Sequence, residues 1–483
     1  MTFPAFLSST HFRRRTAYAL LALGALIAPS RQSAATGPLI LDGTIATARA
    51  LHPLIVNGRA TASSPPTGAL LVYAETAASS LYGLCSGTLI GCQTFLTAAH
   101  CVCPDDADNA AACERRGTVD PARLRVFLQQ GGVFAVTAVR IAPYYAFADG
   151  GDVALLTLSE PVAGIAPSPI NTLRRADVGT SATIVGFGTT AAGPRRSDDA
   201  GIKREGTVTV AVCSDDIPVD SHLCWQFGGS GSNTCEGDSG GPLFTDVGSG
   251  VVLAGVTSGG SSFDCLAPDV GFDSDVFVDR AWILNTAGTD IGTASCTLPA
   301  AGSRGTATFS TTGQLDETNP EAQLQLEVPE GTAVLRVALN AQLTSGSGFD
   351  QTANDFDLFL RAQDSPTSAA FDCADTNATP FGFCEIDAPR PGTWHALVSL
   401  TEGAGAFQVT ATAFAGASLA AFTGDCNADR GVTVDEVLEG VGIALGNADL
   451  AICPTFDVDS DQAVTINELL AAVTAALEGC PAS

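Results

Sequence analysis

Between residue 55 and about residue 290 the apolar residues fall in short runs of β type: "ALLVYA", "LRVFL", "FAVTAVRI", "DVALLTL", "ATIVGFG", "GTVTVAV" and "VVLAGVTS". Gly, Pro and Asp separate them. Many short strands punctuated by turn residues predict a barrel or sandwich built only from β-strands. "DVFVDRAWILNTA" (Asp275 to Ala287) predicts a strand passing into a helix that ends this region, and residues 291–304 are a linker of small residues. Residues 305–415 repeat the β pattern in "AQLQLEV", "AVLRVALN", "FDLFLRA", "WHALVSL" and "FQVTATAF". Residues 420–483 switch to helical patterning, and there "DCNADRGVTVDEVLEGVGIAL" is echoed by "DVDSDQAVTINELLAAVTAAL".

The first 35 residues follow neither period. Arg13, Arg14 and Arg15 precede the apolar "TAYALLALGALIA", and "SAATG" offers small residues for cleavage. That order predicts an export signal over 1–35, with 36–54 as a propeptide. The apolar run is too short to span a membrane, and no later segment reaches the length required. A secreted or cell-surface location follows, so the 15 cysteines read as disulfides. With 483 residues, 46% hydrophobic and 15% charged, the chain is long enough for several globular domains. The net charge of −28 excludes nucleic-acid and anionic-membrane partners, which need a basic surface, and it suits calcium.

"CEGDSGGPLF" (235–244) changes the picture. Alone it reads as a Gly-rich turn. A nucleophilic serine there needs a base, a carboxylate to orient the base, and N–H donors for an oxyanion. The chain has five histidines, and His100 sits in "FLTAAHCV" beside Cys101, which can pair with Cys85 of "CSGTLI". "GGDVALLTL" puts Asp152 at the head of a β run, with Asp149 in the preceding turn.

"TAAHC", "DVALL" and "GDSGGP", in the order His, Asp, Ser, together with "IVNG" (Ile55 to Gly58), resemble the chymotrypsin/trypsin family of serine endopeptidases over about residues 55–290. The resemblance implies a mainly β chain that opens with a chymotrypsin-like double β-barrel. It implies hydrolysis of protein or peptide substrates through an acyl-enzyme. Ser239 would be the nucleophile, His100 the general base and then acid, and Asp152 the group that orients His100. The N–H groups of Gly237 and Ser239 would form the oxyanion hole. Cleavage before Ile55 would free an amine to pair with buried Asp238; the preceding residue is Leu54, so the activator would not be trypsin-like. The implied disulfides are Cys85–Cys101, Cys213–Cys224 and Cys235–Cys265. Cys92, Cys103, Cys113 and Cys296 stay unassigned. A zinc site from Cys101, Cys103 and Cys113 is the alternative, although disulfides suit an exported protein better. The rival functions are an inactive binding protein on the protease fold, which the intact His100, Asp152 and Ser239 argue against, and a calcium-dependent surface or scaffold component.

Specificity is read less directly. Asn233, six residues before Ser239, takes the pocket base where Asp marks trypsin. Counting along "SDVFV" sets Asp275 where trypsin-like enzymes carry a pocket-lining Gly. An acid there would either receive a substrate Arg or Lys, or fill the pocket and select small or polar side chains. Ser258 and Gly260 of "TSGG" would offer backbone bonds to an extended substrate, while Gly259 removes an aromatic wall.

"NDFDLFLRA", "FDCADTN" and "PGTWHALVSL" resemble the bacterial pre-peptidase C-terminal type of β-sandwich, with Cys373 and Cys384 expected to pair. Asp355 and Asp357 are read as exposed strand-end acids rather than calcium ligands. The acidic repeat has the ligand spacing of a calcium loop. The first loop offers Asp425, Asn427, Asp429, Gly431 and Glu436; the second offers Asp457, Asp459, Asp461, Ala463 and Glu468. Val432 with Val464, and Val434 with Ile466, would form the short ladder between them. Arg430 and Gln462 stand where Gly is usual. Little helical pattern precedes either loop, so loop–helix repeats of dockerin or EF-hand type are expected, with starts 32 residues apart (425 to 457). The expected whole is a double β-barrel, a β-sandwich and a small α-helical paired calcium-loop module. Calcium is the expected cofactor of that module and none is expected for catalysis. The module would also be the docking point for a surface or scaffold partner. Cys426, Cys453 and Cys480 stay unassigned.

Overall fold

Strand alternation builds the first barrel. The computed structural model describes residues 55–73, 81–104, 106–191, 199–291, 296, 306–345, 352–415, 423–424, 426, 432–457 and 463–478. The expected signal and propeptide lie outside them. After a short strand β1 (Arg59–Ala60) come β2 (Thr67–Tyr73), β3 (Leu81–Leu89) and β4 (Thr94–Thr97). Helix α1 (Ala110–Arg116) precedes β5 (Leu124–Leu128), β6 (Gly132–Ile141) and β7 (Ala154–Leu158). Strands β2-β3-β4-β7-β6-β5 close on themselves. In β6 the pleat sends Phe134 and Val136 inward and leaves Val133 exposed. Leu70 with Val126, and Phe95 with Leu156, paired across neighbouring strands, fill the interior.

The second barrel uses β8 (Ser181–Gly186), β9 (Arg204–Ala211), β10 (His222–Phe227), β11 (Pro242–Asp246), β12 (Val251–Gly260) and β13 (Asp269–Asp275). Its order is β9-β10-β13-β12-β11-β8, and the β8–β9 pairing closes it, with β1 added at the edge of β9. Helix α2 (Val276–Ala287) follows at once. Cys92–Cys296 ties the chain beyond α2 back to the first barrel.

The sandwich comprises β14 (Thr306–Leu315), β15 (Glu321–Val328), β16 (Thr332–Ala341), β17 (Thr344–Ser345), β18 (Thr352–Ala353), β19 (Asp355–Ala362), β20 (Cys373–Asp375), β21 (Phe381–Asp387), β22 (Gly392–Glu402) and β23 (Gly405–Ala415). Its sheets are β14-β23-β16-β21 and β15-β22-β19-β20. Cys373–Cys384 joins β20 of one sheet to β21 of the other. Finally α3 (Val434–Ala444) and α4 (Ile466–Glu478) pack around Val432, Ile443, Cys453, Phe456 and Ala472. The Cys426–Cys453 disulfide staples this small core.

Candidate active site

The two barrels bring different groups to the seam between them. His100 lies in a single 3₁₀ turn (Ala99–Cys101) after β4, and Asp152 lies just before β7, so both belong to the first barrel. Ser239 lies in the loop between β10 and β11, and Ser258 lies on β12, so both belong to the second. His100 Nδ1 is 2.7 Å from Asp152 Oδ2, and the His100 backbone N–H donates to Oδ1 at 2.9 Å. Ser258 Oγ donates to Oδ2 at 2.6 Å. Asp152 is fully buried, with three donors around it.

Burial pushes the Asp152 carboxyl up, but the charge of His100 and the three bonds outweigh it and hold it below the usual carboxylate range. For His100, burial works downward, and the charge and hydrogen bond of Asp152 outweigh it and raise the imidazole.

Ser239 is held from behind. Ser86 of β3 donates its N–H to the Ser239 carbonyl at 2.8 Å and its hydroxyl to the Gly237 carbonyl at 2.8 Å. The Cys101 sulfur lies 3.9 Å from His100 Nε2 and 3.6 Å from the Ser239 carbonyl, so imidazole and serine flank one atom. Among the described residues no hydrogen bond joins Ser239 Oγ to His100. Nor do the N–H groups of Gly237 and Ser239 meet an acceptor among them. Such contacts commonly tighten only with substrate present. Gly237 has φ +93°, which favours glycine. Sequence reasoning missed Ser86. Its only signal was its place directly after Cys85.

Asp238 is buried, and its oxygens accept from Gly188 N–H at 2.8 Å and Cys235 N–H at 2.9 Å. Burial pushes this carboxyl up to about 7. Ile55 is fully buried in the core of the second barrel, and Val56 bridges to Asn233. No hydrogen bond joins Ile55 to Asp238 among the described residues of this uncleaved chain.

The pocket residues need two corrections. Asp275 is not in the pocket. It caps α2 by accepting from Phe277 N–H at 3.0 Å, and it pairs with Arg175 Nε at 2.6 Å. The acid beside Asn233 is Asp269, at the other end of β13: Asn233 Nδ2 donates to Asp269 Oδ2 at 2.7 Å. A Cβ on Gly260 would lie 2.9 Å from the same oxygen. Asn233 also donates to Cys265 O and accepts from Trp225 Nε1, so its amide is committed. The aromatic wall is not lost either, because the Phe272 ring from β13 lies over Gly259. Phe272 packs edge-on against Phe147, which packs edge-on against His100.

The seven disulfides among the described residues are Cys85–Cys101, Cys92–Cys296, Cys103–Cys113, Cys213–Cys224, Cys235–Cys265, Cys373–Cys384 and Cys426–Cys453. Cys101 and Cys103 stand in different disulfides, which overturns the zinc alternative. Cys480 lies outside the described residues.

Residues 55–283 match the family described as Trypsin, and residues 324–400 match the bacterial pre-peptidase C-terminal domain. A trypsin of Saccharopolyspora erythraea is 33% identical over 197 residues, which is 38% of this chain and 78% of that protein. The chain belongs to the trypsin family. It is a serine-type endopeptidase, a hydrolase. Trypsin-1 of Astacus astacus is 27% identical over 44% of this chain and 92% of its own. A tryptase of Mus musculus is 30% identical over 38% and 71%.

The calcium ligands fall largely elsewhere. Asp425, Asn427, Asp429, Gly431, Asp459 and Asp461 lie outside the described residues. Glu436 is buried and accepts from Cys426 N–H and from Thr433 N–H and Oγ, which makes a capping box for α3. Glu468 is buried too and accepts from Thr465 N–H and Oγ. Of the second loop's expected ligands, Asp457, Ala463 and Glu468 lie within the described residues. No described helix is long and apolar enough to cross a membrane.

Proposed function

We propose that this trypsin-family endopeptidase is exported and cleaves peptide bonds through His100, Asp152 and Ser239. Ser239 Oγ attacks the substrate carbonyl while His100 Nε2 takes its proton. Asp152 and Ser258 hold the imidazole with Nε2 towards the serine. The Gly237 and Ser239 amides receive the developing oxyanion. Losing one such donor costs about 2.7–4 kcal/mol of barrier. His100 then gives its proton to the leaving amine, and water reverses the sequence to release the acyl group. The observation that carries this reading is the buried Asp152 carboxylate bonded to both His100 and Ser258 across the barrel seam. Cleavage before Ile55 would set an ammonium beside Asp238, which otherwise lacks a partner of full opposite charge in direct contact among the described residues. The carboxylate of Asp269 makes Arg or Lys the preferred side chain before the scissile bond.

In the C-terminal module calcium fits the residues present. Residues 416–483 hold one basic residue, Arg430, against eleven acidic ones, and the loop positions offer oxygen donors only. Glu436 and Glu468 would contribute charge from the first turn of each helix. Bound calcium would supply neutralisation there and no chemistry at Ser239.

The test is Ser239→Ala in the processed protein. Peptide hydrolysis should fall on the order of 10⁶-fold, and a phosphonylating reagent should label wild type at Ser239 alone. Activity surviving in the variant, or a label on another residue, overturns the assignment.

A further inference from the structure

In the sheet β14-β23-β16-β21 the two central strands, β23 and β16, are buried on both faces. In β16, Leu335, Val337, Leu339 and Ala341 fill the sandwich core, while Arg336, Ala338 and Asn340 on the opposite face are buried as well. In β23, Phe407, Val409 and Ala411 fill the core, and Gln408, Thr410 and Thr412 are buried on the other side. An antiparallel sheet usually leaves one face to solvent. Here the protease domain covers it.

Part of what it meets is the stretch 199–204, which leads into β9. Leu343 N–H donates to Ala200 O at 3.0 Å, and Asn340 Nδ2 donates to Gly201 O at 2.8 Å. Gln408 Oε1 accepts from Lys203 N–H at 3.2 Å, and its Nε2 donates to Thr61 O at 2.9 Å. The approach is close enough to require glycine: Gly201 has φ +109°, and a Cβ there would overlap the Ala341 carbonyl. From these anchors the segment leads back to the nucleophile. Gly201 N–H donates to Phe187 O at 2.7 Å. The Phe187 ring meets Phe127 edge-on, and Phe127 meets Phe381 of β21. The next residue, Gly188, donates its N–H to Asp238 at 2.8 Å and accepts from Arg204 Nη1 at 2.9 Å. Asp238 stands between Gly237 and Ser239, the two residues whose amides would hold the oxyanion.

We propose that Asn340 and Gln408 of the sandwich are positioning residues for the oxyanion hole. By clamping Gly201 and Lys203 they keep the Gly188 amide on Asp238, and Asp238 in turn sets the Gly237 and Ser239 amides. Oxyanion donors stabilise charge well only when already oriented, so a loosened segment lowers turnover rather than substrate affinity. This rests on the proposed roles of Ser239, Gly237 and the triad.

The test uses the full chain carrying Asn340→Ala or Gln408→Ala, with Asn340→Ser for the case in which the first does not fold. Arg336→Ala is the control. Arg336 bonds the sandwich to Gln130 O and Ala163 O of the first barrel, away from the clamped segment. Folded Asn340 and Gln408 variants should lose about tenfold in kcat with KM changed less than about twofold, a loss of interaction made only in the transition state. A peptide aldehyde, whose hemiacetal oxygen needs both amides, should bind weaker by the same factor. Arg336→Ala should lower the melting temperature yet keep kcat. Unchanged kcat in the Asn340 and Gln408 variants, or an equal loss in Arg336→Ala, overturns the proposal while leaving the triad standing. A wild-type protein whose hydrolysis does not depend on Ser239 would instead overturn the triad.

Discussion

His100 and Asp238 show opposite uses of burial. His100 gains more from Asp152 than it loses by leaving water, so its imidazolium is favoured above the usual pKa of about 6.5. Catalysis needs the neutral imidazole. The acid limb of kcat/KM should therefore lie above pH 6.5, and Asp152→Asn should move it downward while cutting turnover by about 10⁴-fold. A limb below 6.5 in wild type would contradict the geometry. The same pair has a stability sign: the raised His100 contributes fully below 6.5 and loses that contribution as pH rises through its folded value. Asp238 runs the other way. A buried acid pushed up to about 7 destabilises the uncleaved chain progressively between pH 3.8 and 7. Cleavage before Ile55 should thus raise the melting temperature more at pH 8 than at pH 5, readable by calorimetry of the two forms. These residues were legible because each sits inside a contiguous motif. Ser86 and Ser258 were not legible in role, because their partners, Gly237 and Asp152, are distant in sequence and meet them only when the barrels close.

Strand β13 shows how an element can mislead a count. Asp269 and Asp275 lie at its two ends and both are buried, so neither polarity nor alternation separates them. What separates them is what each end abuts. Asp269 follows the Cys235–Cys265 disulfide and meets Asn233, whereas Asp275 begins α2 and meets Arg175. Two variants divide the roles. Asp269→Gly should abolish a preference for Arg or Lys in a peptide library, and should also lower the melting temperature, because Asn233 Nδ2, Ser261 Oγ and Ser262 N–H lose their acceptor. Asp275→Ala should keep the preference but destabilise the protein by about 1 kcal/mol for the lost cap, and by more because Arg175 is left unpaired. A preference that follows Asp275 would reverse the assignment. Strands such as β6, β9 and β15 could be read from periodicity because buried and more exposed positions alternate along them, whereas β2, β4 and β12 are buried on both faces and were legible only as apolar runs between turns. Strand β16 belongs with these, its apolar run broken only by Arg336 and Asn340, which are buried too.

At the scale of the molecule the three parts are joined unequally. The sandwich presses a buried sheet face on the protease domain and is secured by side chains such as Arg336, Asn340 and Gln408. The helices α3 and α4 instead share a small core of their own, stapled by Cys426–Cys453. With one basic residue against eleven acidic ones in residues 416–483, that core has little internal means of balancing its charge. Calcium would neutralise the loops and let the helices pack, so metal binding would become folding free energy for this part alone. In the intact protein, adding calcium should protect the α3–α4 region from an external protease and a chelator should expose it, while kcat for a small peptide changes little. Glu436→Gln with Glu468→Gln should remove the calcium response, because each loop loses a charged ligand, and should cost some stability even without calcium, because each carboxylate also accepts bonds at the start of its helix. Protection that is the same with chelator and with calcium would mean that the capping bonds and the disulfide suffice, and the acidic loops would then have to be explained as solvated turns.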